Sequence, residues 1–141
     1  MSGAGELCGR EGASVALLKN TDFEQVVEGL GLVPQVNTAV WLKVGITFGS
    51  RIPNYAVAQF TQGEIVVFKV SSNGSIVMPP TAVVPIRSDA DVRVQRAFGG
   101  YRLEMETPEG SVSLVMRKMM IGAAWHKTDL ANVLERFGAG A

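Results

Sequence analysis

Two tight turns between short alternating runs constrain this chain more than anything else in it. The Gly99-Gly100 pair sits between two runs of strand character, and a two-residue Gly-Gly loop suits a primed turn, whose backbone needs positive φ. With Phe98 facing Tyr101, Val94 meets Met105 on one face and Arg93 meets Glu106 on the other, an apolar pair and an oppositely charged pair. Next comes Thr107-Pro108-Glu109-Gly110, with Pro second and Gly fourth, as a type I turn prefers. Pairing Thr107 with Gly110 sets Met105 against Val112, Leu103 against Leu114 and Tyr101 against Met116. Two turns placed on turn chemistry alone therefore give one apolar face. A slip of one residue would expose all of it.

Upstream, residues 40–48 also alternate: Leu42, Val44, Ile46 and Phe48 point one way, Trp41, Lys43, Gly45 and Thr47 the other. Residues 34–37 read as a connection, and 49–54 break the run. Strands are expected at 55–61 and 64–70 around a Gln62-Gly63 turn, the second apolar on much of both faces. Asn73-Gly74 is a hairpin signal. Residues 75–86 carry Pro79, Pro80 and Pro85, which cannot donate to a ladder, so this is an edge or broken strand that resists pairing with another molecule.

Two helices frame these strands. Residues 21–30 have Thr21 as cap, Glu24 completing a capping box, an apolar stripe of Phe23, Val26, Val27 and Leu30, and Gly31 as stop. Residues 14–18 either extend this helix or pack as a separate turn. Residues 127–137 carry the stripe Leu130, Val133, Leu134 and Phe137, with Thr128 or Asp129 capping and Gly138 stopping it. Short connections favour antiparallel pairing. The expected fold is mainly β (α+β): a seven-stranded antiparallel bent sheet or partly open barrel, capped by a C-terminal helix, with a short N-terminal helix.

The chain has 141 residues, which suits one domain. Residues 1–12 read as a flexible N-terminal segment, 13–138 as the single domain with its core in 40–137, and 139–141 as a flexible tail. Thirteen basic and thirteen acidic residues cancel, which argues against nonspecific nucleic-acid binding. Cys8 is the only cysteine, so neither an internal disulfide nor a cysteine zinc site is expected, and the thiol reads as incidental. No secretory signal and no apolar run long enough for a membrane span is evident, so a cytoplasmic setting is expected.

Chemistry-bearing motifs are sparse. His126, the only histidine, has no second imidazole for a metal pair and reads as a structural or surface residue near the helix start. No nucleophile elbow, triad spacing or phosphate loop is present, and Glu104 and Glu106 share a face by strand geometry, where Arg93 pairs with them as a surface ion pair. No catalytic residue, cofactor, metal or small-molecule substrate is expected. Arg96 is the odd residue. The register turns it inward opposite Leu103, so either a bulge flips it out, or its head snorkels to water, or it binds an acidic ligand or partner. Arg117 and Lys118, with Arg102, form a small positive patch beside Met119, Met120, Ile121 and Trp125, unless Met116, Ile121 and Trp125 are core. Trp41, on the face away from the core, is the expected exposed aromatic anchor.

The strand pair Tyr-Ala-Val-Ala-Gln-Phe-Thr-Gln-Gly-Glu-Ile at 55–65, ahead of a basic-aromatic meander and a helix, resembles that of bacterial pleckstrin-homology-like (PH-like) proteins over residues 40–137. The resemblance implies sheets of four and three strands packed at a steep angle with the helix plugging one end. It implies no enzyme activity, and a platform for a partner protein, a lipid or a second copy. Relatives that bind phosphoinositides carry spaced basic residues around the first strand. Here Lys43 and Arg51 alone match, and Pro53 stands where another cation would help. The expected function is a noncatalytic PH-like interaction or scaffold module that binds a protein or itself. The alternative is a peripheral membrane or anionic-lipid-binding domain. The candidate partner-binding residues are Trp41, Lys43, Arg51, Arg96, Arg117 and Lys118.

Overall fold

The computed structural model describes residues 18–43, 46–47, 50–51, 55–71, 74–87, 91–108, 110–120 and 123–138. The expectations for residues 1–12, 14–17 and 139–141, for Cys8, and for the side chains of residues 44–54 lie outside the described residues. Helix α1 (Asn20–Gly29) is followed by strands β1 (Pro34–Leu42), β2 (Ile46–Thr47), β3 (Ser50–Arg51), β4 (Ala56–Thr61), β5 (Glu64–Val70), β6 (Ile76–Pro85), β7 (Val92–Ala97), β8 (Gly100–Thr107) and β9 (Gly110–Arg117), then helix α2 (Trp125–Arg136). Seven strands form one open antiparallel sheet in the order β6-β5-β4-β1-β9-β8-β7, while β2 and β3 make a separate small hairpin. The first and last strands of the sheet thus meet in its middle. That junction is thin: a single ladder pair, Leu42 with Met116, and the Lys43 N–H donating to the Val115 carbonyl at 2.7 Å.

The β8–β9 hairpin has the expected register, with Met105 opposite Val112, Leu103 opposite Leu114 and Tyr101 opposite Met116. The β7–β8 register differs. Ala97 pairs with Gly100, Val94 with Leu103 and Arg93 with Glu104, so Phe98 and Gly99 are the turn residues. Gly99 supplies the positive φ of 78°. Gly100 lies inside β8, where a Cβ would collide with the Met116 carbonyl. Only glycine allows that approach. The shift is two residues, so the same side chains still face inward.

Strand β1 begins at Pro34, earlier than expected, because residues 34–37 are strand rather than connection. Its pairing with β4 jumps between Pro34 and Ala39, and Asn37 takes a φ of 58° at this irregularity. The proline-bearing β6 is an edge strand, and its pairing with β5 is also interrupted.

The inner face is buried along the sheet, and the outer face is buried over β1, β4 and β5. On the inner face, Val40, Leu42, Phe60, Ile65, Leu103, Met105, Leu114 and Met116 pack with Leu130, Val133 and Leu134 of α2. On the outer face, Trp41, Val57, Val66 and Phe68 pack with Phe23 and Val27 of α1 and with Ala123. Trp41 is therefore not an exposed anchor. It is 0 % exposed, edge-on to Phe23 with ring centroids 6.3 Å apart, and 6.1 Å from Trp125. Trp125 and Met116 are likewise part of the two cores.

The helix ends differ from expectation in detail. At α1 the Lys19 N–H donates to Asp22 Oδ2 at 2.8 Å, so Asp22, not Glu24, closes the box. Glu24 instead accepts the Asn37 N–H at 2.9 Å. At the other end, Gly31 at φ 86° allows paired bonds from Leu32 N–H to the Val27 carbonyl (3.2 Å) and from Gly31 N–H to the Glu28 carbonyl (3.0 Å). That is a Schellman closure. Helix α2 starts without a side-chain cap, because Asp129 is turned inward to other partners.

Candidate functional site

Two places gather polar side chains. The first is a seam between α2 and the flank of β1 that β9 leaves unpaired. His126, Asp129, Asn132 and Arg136 recur three or four residues apart, so one helix face carries them all. Asp129 Oδ2 accepts the Ala39 N–H at 3.0 Å, and both of its oxygens accept from Asn20 Nδ2 at 3.2 Å. His126 Nδ1 accepts the Trp41 N–H at 3.1 Å, and Nε2 lies 2.8 Å from the Arg117 carbonyl. A carbonyl only accepts, so Nε2 carries the proton and the ring is the neutral tautomer. Asn132 donates to the Asn37 carbonyl at 2.9 Å. Arg136 donates to Gln35 Oε1 (2.6 Å) and to the carbonyls of Thr61 (2.7 Å) and Gln62 (2.9 Å). Side chains of α2 thus stand in for the missing strand.

Burial sets the protonation of this seam. It lowers the pKa of His126, opposed in part by the Arg117 carbonyl bond. It raises that of Asp129 to about 6, against the pull of the Ala39 and Asn20 hydrogen bonds. Both ring nitrogens and both carboxylate oxygens are occupied by structural bonds, so no general base or ligand atom is left facing a cavity. Among the described residues no group of three or more His, Cys, Asp or Glu could hold a metal ion.

The second place is the end of the sheet around the Phe98-Gly99 turn. Phe98 is 91 % exposed. Lys43 Nζ donates to the Phe98 carbonyl at 2.7 Å and lies 4.6 Å from the centre of its ring, so one lysine braces both backbone and side chain of the turn. The Lys118 N–H donates to the Gly99 carbonyl at 3.0 Å. Beside them a cleft of about 220 Å³ is lined by Arg96, Ala97, Gly99, Gly100, Tyr101 and Lys118. Met119, 67 % exposed, follows Lys118. Among the described residues no carboxylate pairs with Lys43, Arg96 or Lys118. Asp91, Glu104 and Glu106 lie toward the other end of the same three strands, where Asp91 sits 3.9 Å from Arg93. Net neutrality hides this local group of cations.

Of the sequence candidates, Lys43, Arg96 and Lys118 converge here. Arg96 pairs with Tyr101 rather than Leu103 and is exposed, with no bulge in the β7–β8 ladder. Arg117, the last residue of β9, parts from Lys118, which follows the strand and lines the cleft. Arg117 Nε donates to the Leu42 carbonyl at 3.1 Å, across the β1–β9 junction. Arg51 lies in β3, its side chain outside the described residues, and Trp41 is in the outer core. The frame expected from the sequence conceals Phe98 by setting it in a strand opposite Tyr101. The adjoining Gly99 already marked it as a turn neighbour. Asp129, Asn20 and Arg136 were missed because their partners are backbone groups distant in sequence. No helix among the described residues is long and apolar enough to cross a membrane.

Comparison with known proteins gives no match: no family model fits the chain, and no curated protein or solved structure resembles it significantly.

Proposed function

We propose that this chain is a noncatalytic PH-like interaction module whose working surface is the basic, Phe98-tipped end of the sheet. The observation that carries this reading is the convergence of Lys43, Arg96 and Lys118, unpaired with any described carboxylate, around an almost fully exposed aromatic. Exposed aromatic and basic groups supply most binding energy at interfaces. The strand order supports the PH-like part: four strands stand on one side of the β1–β9 junction and three on the other, with α2 over the inner face. The histidine and aspartate that could serve catalysis are committed to holding α2 against β1. An anionic partner fits the charge. The test is retention of the purified chain on a polyanion matrix as salt is raised. Wild type should elute later than a Lys43→Gln, Arg96→Gln, Lys118→Gln variant of equal stability. Identical elution would sink the reading.

A second reading, docking on an anionic membrane, is favoured by the exposure of both Phe98 and Met119, the residue after Lys118, since exposed apolar groups near cations suit a headgroup boundary. Co-sedimentation with vesicles rich in phosphatidylserine checks it. Binding should fall on Phe98→Ala and with salt, and pellets free of protein would remove this reading.

A further inference from the structure

Among the described strands, β7 is one of the two open edges of the sheet, and it is the one built to accept a partner. The opposite edge, β6, carries Pro79, Pro80 and Pro85, which interrupt any outward row of donors. Strand β7 has no proline and keeps an unbroken register with β8 from Val92 to Ala97, so its outer flank is a regular row of backbone donors and acceptors. Its exposed arginines, Arg93 and Arg96, would repel a second copy brought edge to edge and would attract an acidic strand.

Each end of β7 also borders a cleft. At Arg96 lies the 220 Å³ cleft shared with Tyr101 and Lys118, and at Val92 a wider one of about 520 Å³ shared with Ile86 and Phe137. In a strand these two positions stand about 13 Å apart. We propose that β7 takes up an extended acidic segment of a partner protein as an additional strand. The added backbone bonds β7, an acidic side chain meets Arg96 and Lys118, and an apolar side chain enters beside Val92, Ile86 and Phe137. This rests on the reading of the chain as an interaction module and names its partner. Main-chain pairing supplies affinity in such a mode, and the flanking pockets supply selection.

The test uses the full chain and a blocked threonine-rich peptide with Glu and Val four residues apart, so that both fall on the face shared by Arg96 and Val92, with amide exchange read residue by residue. Among Val92 to Ala97, the alternate amides that face away from β8 should gain protection. Arg93→Glu with Arg96→Glu should weaken binding about tenfold. An N-methylated peptide of the same charge, unable to pair as a strand, should fail to bind. Equal binding of the N-methylated peptide would overturn strand addition and leave the anionic docking surface standing. Vesicle binding with no peptide binding would overturn it in favour of the membrane. Protection of the same amides that grows with protein concentration alone would overturn it in favour of a second copy. Silence toward every anion would remove the module reading as well.

Discussion

Two buried residues of α2 pull the pH dependence of stability in opposite directions. Asp129 has a folded pKa of about 6, above its ordinary value of 3.8, so its contribution is full below 3.8 and is lost as pH rises through about 6. His126 has its pKa lowered from 6.5, so its contribution is full above 6.5 and is lost as pH falls toward the depressed value. In wild type the two oppose each other between these limits. Asp129→Asn removes one of them, and the variant should lose stability more steeply than wild type between pH 7 and 5, read as urea midpoints. An unchanged slope would show that Asp129 does not titrate in this range. The imidazole has a second consequence. His126→Phe leaves the Trp41 N–H and the Arg117 carbonyl buried without partners, at about 1–3 kcal/mol for each group. Chemical denaturation at pH 8, where wild-type His126 is neutral, measures it. The sequence sets His126 aside as a structural or surface residue, because no second ligand accompanies it, and the structure buries it. The sequence could not name the partners, since both are main-chain atoms of strands that meet only in the folded sheet.

At the scale of elements, turn chemistry placed hairpins well and their frame less well. Pro108 and Gly110 leave one frame for the β8–β9 turn, and that register is as expected. Around Gly99-Gly100, two frames two residues apart keep the same apolar face, and periodicity cannot choose between them. The choice is made by tertiary contact: Gly100 must lie within β8, against the Met116 carbonyl. Gly100→Ala should therefore cost about 1–3 kcal/mol. A thermal shift separates this from Gly63→Ala, where a Cβ meets nothing within 4 Å. Alternation read as core on one side and water on the other misplaces Trp41. The apolar character of both faces of β5 was the available clue that a second layer, α1, covers the outside. The prolines of β6, by contrast, marked an edge correctly, because a missing N–H is a local fact that no tertiary contact restores.

For the molecule as a whole, two cores share a single sheet. Strands β1, β4 and β5 supply side chains to both, so neither layer can melt while its partner stays native. Both tryptophans lie in the outer layer, and far-ultraviolet circular dichroism reports the whole sheet. Urea transitions followed by tryptophan fluorescence and by dichroism should coincide, and a fluorescence change at lower denaturant would mean that α1 detaches on its own. The basic end was only partly legible at this scale. Each cation is visible in the sequence, but the charges of the chain sum to zero, and only the folded turn brings Lys43, Arg96 and Lys118 together. The seam along β1 bears on how the chain is made. Ala39 waits for Asp129, synthesised 90 positions later, and Trp41 waits for His126, 85 positions later. A nascent chain must carry β1 through most of translation with an unfinished flank, and that flank closes only when α2 arrives.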